Sequence, residues 1–395
     1  MTIADTRTPV RDLDPDLLEE FRRLAAEDDA ANRFFDETHR RLVEAGHYLA
    51  NVPADMGGGG LNLFETARRQ RLLGRYAPAA ALASCMHLYW TGGAAELRAG
   101  GNDALGFVLD AASSGTIFAS GHAEPGNDVS TLMSTTVAEP VPGGYLITGR
   151  KNFGSLGPVW DQIGFHAMDS SDPDAPEVIH GFVDRTDPGV RIVENWDTIA
   201  MRASQSHDTV FDAVFVPHEH IAARHPAGDG DEPVTATAFF WALVLISNVY
   251  AGIAERALEI ATETITTRTA IAMDGRTLAH NPMLQHQVAD MWIALDGLTA
   301  SLDMLAAEWD DERVDHGPVW EMKLFAAKHR TSSVVRSVVD TAMEVAGGSA
   351  IRSDHELSRL LRDSRAAAYH PASDALAHEA IGKGVLGIDP GGPRW

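Results

Sequence analysis

The chain has 395 residues, 45% hydrophobic and 22% charged, long enough for two or three domains with packed cores. Lys and Arg total 32 against 56 Asp and Glu; the formal net charge of −24 argues against nucleic acid or an anionic membrane surface as a partner. The single cysteine, Cys85, excludes an internal disulfide, and no cysteine cluster points to zinc or an iron–sulfur centre.

The first dozen residues, M-T-I-A-D-T-R-T-P-V-R-D, lack the apolar core of a signal peptide, so a cytoplasmic protein is expected. Over residues 15–50 the apolar Leu17, Phe21, Leu24, Phe34, Leu42 and Val43 recur at roughly helical spacing with Asp and Glu between them. Val52-Pro53 and the glycines at 57–60 form a breaker-rich loop, after which residues 63–112 return to Ala/Leu-rich helical composition. An N-terminal α-helical domain is expected over residues 1–113. The texture then changes to short β-rich runs at 145–148, 178–183 and 209–216, separated by turn residues and expected to join as hairpins. They define a central β-domain over 114–223. A linker rich in Gly, Asp and Pro at 225–233 leads into a helical C-terminal domain over 234–388. Its longest apolar run, 239–254, is broken by Ser247 and Asn248 and is shorter than the roughly 20 residues of a membrane span, so it reads as a buried helix.

Five segments carry more than composition: G-H-A-E-P-G-N-D (121–128), Y-L-I-T-G-R-K-N-F-G-S (145–155), W-D-T-I-A-M-R-A-S (196–204) running into a strand that ends in Val216-Pro217, A-M-E-V-A-G-G-S-A (342–350) and L-S-R-L-L-R-D-S-R-A-A-A-Y-H-P (357–371). Alone, the first is a common turn and the second a hairpin with one core Phe. In this order and spacing they resemble the acyl-CoA dehydrogenase superfamily over nearly the whole chain. The resemblance implies an α+β fold: an N-terminal α-helical domain, a central β-barrel or sandwich, and a C-terminal four-helix bundle. It further implies a flavin, with the His122–Ala123 loop at its pyrimidine edge, Phe153 against the isoalloxazine and the Ser155 hydroxyl on N5. Arg268, with Glu344, Gly347 and Gly348 from a neighbouring subunit, would meet the pyrophosphate and adenosine, which implies a homotetramer or homodimer. FAD is the expected cofactor. FMN is the alternative, because Ile271-Ala272 stand where the family has Phe-Gly and Glu344 replaces a Gln, setting a carboxylate beside a pyrophosphate.

One position departs from the dehydrogenase pattern. Where the family reads Tyr-Glu-Gly, the Glu removing the substrate's α-proton, this chain reads Tyr369-His370-Pro371. Some members carry that Glu on a helix instead, but the matching stretch here, F-F-W-A-L-V-L-I (239–246), is apolar throughout. The two-component flavin monooxygenases of the same superfamily have a Ser six residues after a Gly and a His eight after an Arg. Gly149 to Ser155 and Arg362 to His370 have those spacings. That branch takes reduced flavin from a separate reductase and reacts it with oxygen. A C4a-hydroperoxyflavin persists only if N5 is hydrogen-bonded and the oxygen kept dry, roles that fall to Ser155 and His370. Three readings stay open: a monooxygenase acting on a small molecule, an acyl-CoA dehydrogenase with a displaced base, and a non-catalytic flavoprotein in which His370 merely ends a helix. The first accounts for both the missing carboxylate and the Ser/His spacing. His87 reads as structural.

Overall fold

Helix-forming texture at both ends and β-branched texture between them set the order of elements. The computed structural model describes residues 10–129, 131–230 and 232–388. The first nine residues, which enter both the leader reading and the first domain, lie outside the described residues, as do Ser130 and, within the linker, Asp231.

Five helices come first: α1 (Pro15–Ala31), α2 (Asp36–Glu44), α3 (Leu63–Tyr76), α4 (Pro78–Ala99) and α5 (Gly106–Ser113). Local chemistry sets their starts. Asp14 caps α1 by accepting from the Leu17 amide, with Pro15 in the first turn where its missing N–H costs nothing. Asn62 and Glu65 form a reciprocal capping box on α3.

The central strands are β1 (Phe118–Gly121), β2 (Val137–Val141), β3 (Gly144–Gly154), β4 (Gln162–Asp169), β5 (Glu177–Asp184), β6 (Val190–Val193), β7 (His207–Pro217) and β8 (Ile221–Pro226). They form one sheet in the order β6-β7-β3-β2-β4-β5-β8, with β1 against β4. The three runs recognised in the sequence lie inside β3, β5 and β7. Each pairs antiparallel with the strand just before it, as expected of hairpins, while β1 runs parallel to β4 and β2 meets β4 in parallel register, pairings the runs do not announce. β4 gave no alternating signal because it is buried on both faces. β8 continues to Pro226, three residues beyond the expected boundary, because His225 and Pro226 pair with Val178 and Glu177 of β5.

The C-terminal part holds α6 (Pro233–Thr267), α7 (Pro282–Trp309), α8 (Val319–Ala346), α9 (Glu356–Arg365) and α10 (Asp374–Leu386). α6 packs against α7 and α8 on one side and α3 and α4 on the other. It is apolar and long enough to cross a membrane, yet 83% of its most apolar window is buried inside the molecule. The crossing with α3 is close because each helix offers a glycine there. A Cβ on Gly74 would lie 2.5 Å from the Val249 carbonyl oxygen, and one on Gly252 would run into the Arg71 carbonyl.

The three parts meet at the Arg-Asp pair of α9. The buried Asp363 carboxylate accepts from the Met201 amide at 2.7 Å, holding that residue at φ 52° in the loop before β7. Arg362 donates to the Ile199 carbonyl at 2.9 Å and to Asp29 of α1 at 3.2 Å, while Arg202 donates to the Asp29 carbonyl at 2.9 Å. Burial pushes the Asp363 carboxyl up to about 6 against the pull of Arg359. The Gly74→Ala variant is expected to lose about 1–3 kcal/mol of stability, because the clash is with backbone that cannot rotate away. Urea unfolding measures it, with Gly297→Ala on the exposed face of α7 as the control, a helical position where the added Cβ meets nothing within 4 Å.

Candidate functional site

The site is built first from one buried charge. Lys151 on β3 has a fully buried side chain whose Nζ donates to Glu124 Oε1 at 2.6 Å and to the His166 carbonyl at 2.5 Å. Glu124 belongs to the 121–128 loop, and its carboxylate also accepts from Asn127 Nδ2, the Ser134 hydroxyl and the Thr135 and Thr136 amides at 2.7–3.0 Å. With five donors around it, the carboxylate is fully satisfied. Burial alone would raise its pKa, but the His166 ring and the Lys151 charge hold it well below the usual carboxylate range. Burial brings Lys151 down to about 8 despite Glu124.

This pair sews the loop to the end of β3. The Asn152 amide donates to the Ala123 carbonyl at 2.8 Å, so His122 and Ala123 lie beside Asn152 and Phe153. His122 accepts or donates at Nδ1 with the Ser120 hydroxyl at 2.9 Å. Its ring stacks on His166 at 5.2 Å and 5°, and the stack continues through His180 to His225. Burial first, then His166 and Lys151, lower its pKa well below that of a free imidazole. His87 is a satisfied core histidine: Nε2–H donates to the Tyr48 carbonyl at 2.7 Å and Nδ1 accepts from the Phe118 amide at 3.2 Å.

Phe153 stands at φ 62°, a strained backbone for a residue with a Cβ; the residue is 57% exposed, and its ring is edge-on to Trp196 at 6.1 Å. Next to it, the buried Asn152 side-chain oxygen has no hydrogen-bond partner. The Ser155 hydroxyl bonds Ser206 at 2.8 Å and Ser206 bonds Ser204 at 2.7 Å, a row of three buried hydroxyls. An exposed flat ring in a strained backbone, an orphaned acceptor and a hydroxyl row fit a planar heteroaromatic group with a polar edge. A flavin has that shape and that chemistry. Phe153 would carry its face, and Asn152, Ser155 and the 122–123 backbone its edge.

His370 lies after α9 on a loop tied to α8, where the buried Lys328 donates to the Ala372 carbonyl at 2.6 Å and Ser332 to the Ala367 carbonyl at 3.1 Å. Its Nε2 meets the hydroxyl of Tyr250, on α6, at 2.7 Å. Burial, then the Lys328 charge, push the imidazole down to about 4. Among the described residues no carboxylate contacts it. The α6 residue that reaches position 370 is thus Tyr250, one turn beyond the 239–246 stretch in which a displaced base was sought. Sequence reasoning passed it over as part of an apolar run, although its spacing continues the Phe239, Leu243, Ile246 stripe.

The third group gathers at the end of α8. Arg268 donates from Nη1 to the Ala346 carbonyl at 2.8 Å, Glu344 accepts from Gln287 at 3.2 Å, and Gly347 ends the helix at φ 75° with Gly348 after it in open space. Among the described residues no hydrogen bond, ion pair or ring contact joins this corner, Ser155 and His370 to one another.

Residues 244–375 match the acyl-CoA dehydrogenase C-terminal domain family. The chain is 28% identical over 367 residues to the putative acyl-CoA dehydrogenase YdbM of Bacillus subtilis (strain 168), covering 92% of this chain and 93% of that one. It is 27% identical over 404 residues to the L-evernosamine nitrososynthase of a Micromonospora species, covering 98% and 93%. The solved nitrososynthase of Micromonospora carbonacea var. africana superimposes with a TM-score of 0.84 at 26% identity, over 98% of this chain and 100% of that one. The chain has the acyl-CoA dehydrogenase fold, and its C-terminal third matches that family's C-terminal domain. The protein is a flavin-dependent oxidoreductase, similar over nearly its whole length to enzymes of that fold.

Lys151→Met should cost about 3–5 kcal/mol, the usual penalty for leaving one buried charge unpaired. Adding Glu124→Gln should restore part of that loss, measured by urea unfolding at pH 7. Because folding lowers the Glu124 pKa, its stabilising contribution is present above the unfolded value near 4.5 and is lost as pH falls below it. The parent's acid-side loss of stability should therefore be blunted in the double variant.

Proposed function

We propose that this protein is an oxygen-using flavin monooxygenase that works on a small molecule. The observation that carries the reading is the Tyr250–His370 pair standing where a dehydrogenase needs a carboxylate. A base that removes a weakly acidic α-proton works best with a pKa near the operating pH, and a carboxylate raised by burial meets that need. An imidazole held down at about 4 is a poor proton acceptor and a good neutral hydrogen-bond donor.

Reduced flavin would give dioxygen two electrons, leaving one oxygen atom on the substrate and one in water. The chain's part is to hold and shield. Phe153 offers the face on which the ring lies, Asn152 and Ser155 hold its polar edge, and His370 donates to an oxygen atom without supplying a stray proton. FAD is the proposed cofactor, with FMN the alternative, since Glu344 places negative charge in the corner assigned to the pyrophosphate. Among the described residues no hydrogen bond or ion pair joins that corner to Ser155 within one chain, which supports a homodimer or homotetramer in which a neighbour completes the site. A separate flavin reductase and a cytoplasmic location complete the reading; burial pushes the lone Cys85 thiol up to about 12 and leaves it inert. The likeness to nitrososynthases over nearly the whole chain favours a nitrogen-bearing substrate.

The second reading, an acyl-CoA dehydrogenase, is favoured by the likeness to YdbM. Two mixes separate them. Given a reductase, NADH and oxygen, His370→Ala should convert roughly tenfold less substrate per flavin oxidised, the worth of one lost hydrogen bond of about 1.4 kcal/mol, with the difference released as hydrogen peroxide. Rapid anaerobic bleaching of the bound flavin by acyl-CoA thioesters, unaltered in His370→Ala, would overturn the oxygenase. In the parent, the rate should show no protonation limb near pH 6.5, because the folded-state imidazole takes up a proton only near pH 4.

A further inference from the structure

We propose that Tyr250 is a positioning residue that fixes the tautomer of His370, so that Nδ1 carries the proton and is the nitrogen offered to the site. The argument is one of hydrogen-bond accounting. The Tyr250 hydroxyl is buried, and His370 Nε2, at 2.7 Å, is its one hydrogen-bond partner among the described residues. If Nε2 were protonated, it would donate to the phenol oxygen and leave the phenol proton buried without an acceptor. Only the opposite arrangement, O–H donating to a bare Nε2, satisfies both groups, and it is favoured roughly tenfold or more.

The surroundings remove the other protonation states. From α8, the buried Lys328 sets a positive charge near the ring and opposes imidazolium. On the phenol side, burial and then the Asp363 carboxylate of α9 keep Tyr250 from ionising, so it has a proton to donate. His370 is therefore left neutral, with Nδ1–H as its donor and without a partner in the chain among the described residues. The proposal rests on the oxygenase reading of His370 for its consequence, though not for its structure.

The test separates the two. Flavin-free protein carrying ¹⁵N-labelled histidine is examined at pH 7 by long-range ¹H–¹⁵N correlation, with His370→Ala identifying the His370 signals. The parent should show Nδ1 protonated and Nε2 bare. Tyr250→Phe, which removes only a hydroxyl, should move those signals toward Nε2–H or a mixture. Turnover in the coupled oxygenase assay should drop severalfold with little change in KM, and Tyr250→Phe should add nothing further on top of His370→Ala. An Nε2–H parent, or a tautomer that stays put in Tyr250→Phe, overturns the proposal whatever the activity. A tautomer that moves in a protein that bleaches with acyl-CoA and makes no oxygenated product supports the assignment and overturns the oxygenase reading instead. Should Tyr250→Phe not fold, the parent spectrum alone decides.

Discussion

The ion pair of Lys151 and Glu124 is the constraint on which the site depends. Each charge loses its hydration on burial, a cost of several kcal/mol per ion, and the pair is tolerable because every lone pair of the carboxylate finds a donor. Satisfaction on that scale is directional as well as stabilising. The five donors come from β3, from the 121–128 loop itself and from the segment entering β2, so they can converge on one carboxylate in only one arrangement. That arrangement places Ala123 against Asn152, and everything next to the flavin position follows.

The polar interior there also explains the strain a few residues on. Phe153 is held at positive φ between Asn152, bonded back to the loop, and Ser155, whose amide donates to the Phe153 carbonyl at 2.9 Å. Both flanks are anchored, so the aromatic ring is forced outward rather than into the core. A residue free to relax would bury its ring. A rigid aromatic face costs little entropy when a planar group lands on it.

The fold was legible because its signals are local. Helical periodicity, the breakers at 57–60 and the β-branched runs that became β3, β5 and β7 each announce themselves within a dozen residues. β4 was not legible: like β5 it is buried on both faces and has no alternation to read, but with Ile163 its only β-branched residue it lacks the composition that marks β5. The same division holds for the site. Ser155, Phe153 and His370 were reached through spacing along motifs, whereas Tyr250 lies 120 residues from His370 and meets it only through the packing of α6 on the loop after α9. Glu124 looked like part of an ordinary turn, because nothing local shows that Lys151 will be folded under it. Pair interactions across long loops leave no mark in a single chain's periodicity.

The glycine crossing of α3 and α6 has a consequence for motion. Two helices whose backbones touch cannot slide or tilt without collision, so the N-terminal helices and the C-terminal bundle form one rigid body. The β-domain is held to that body by the hydrogen bonds of Asp363, Arg362 and Arg202 to the 199–202 loop and Asp29, and by Trp90 and Phe107 packed on Phe182. Because Tyr250 lies between Val249 and Gly252 on the touching stretch of α6, the same crossing also fixes where its hydroxyl stands.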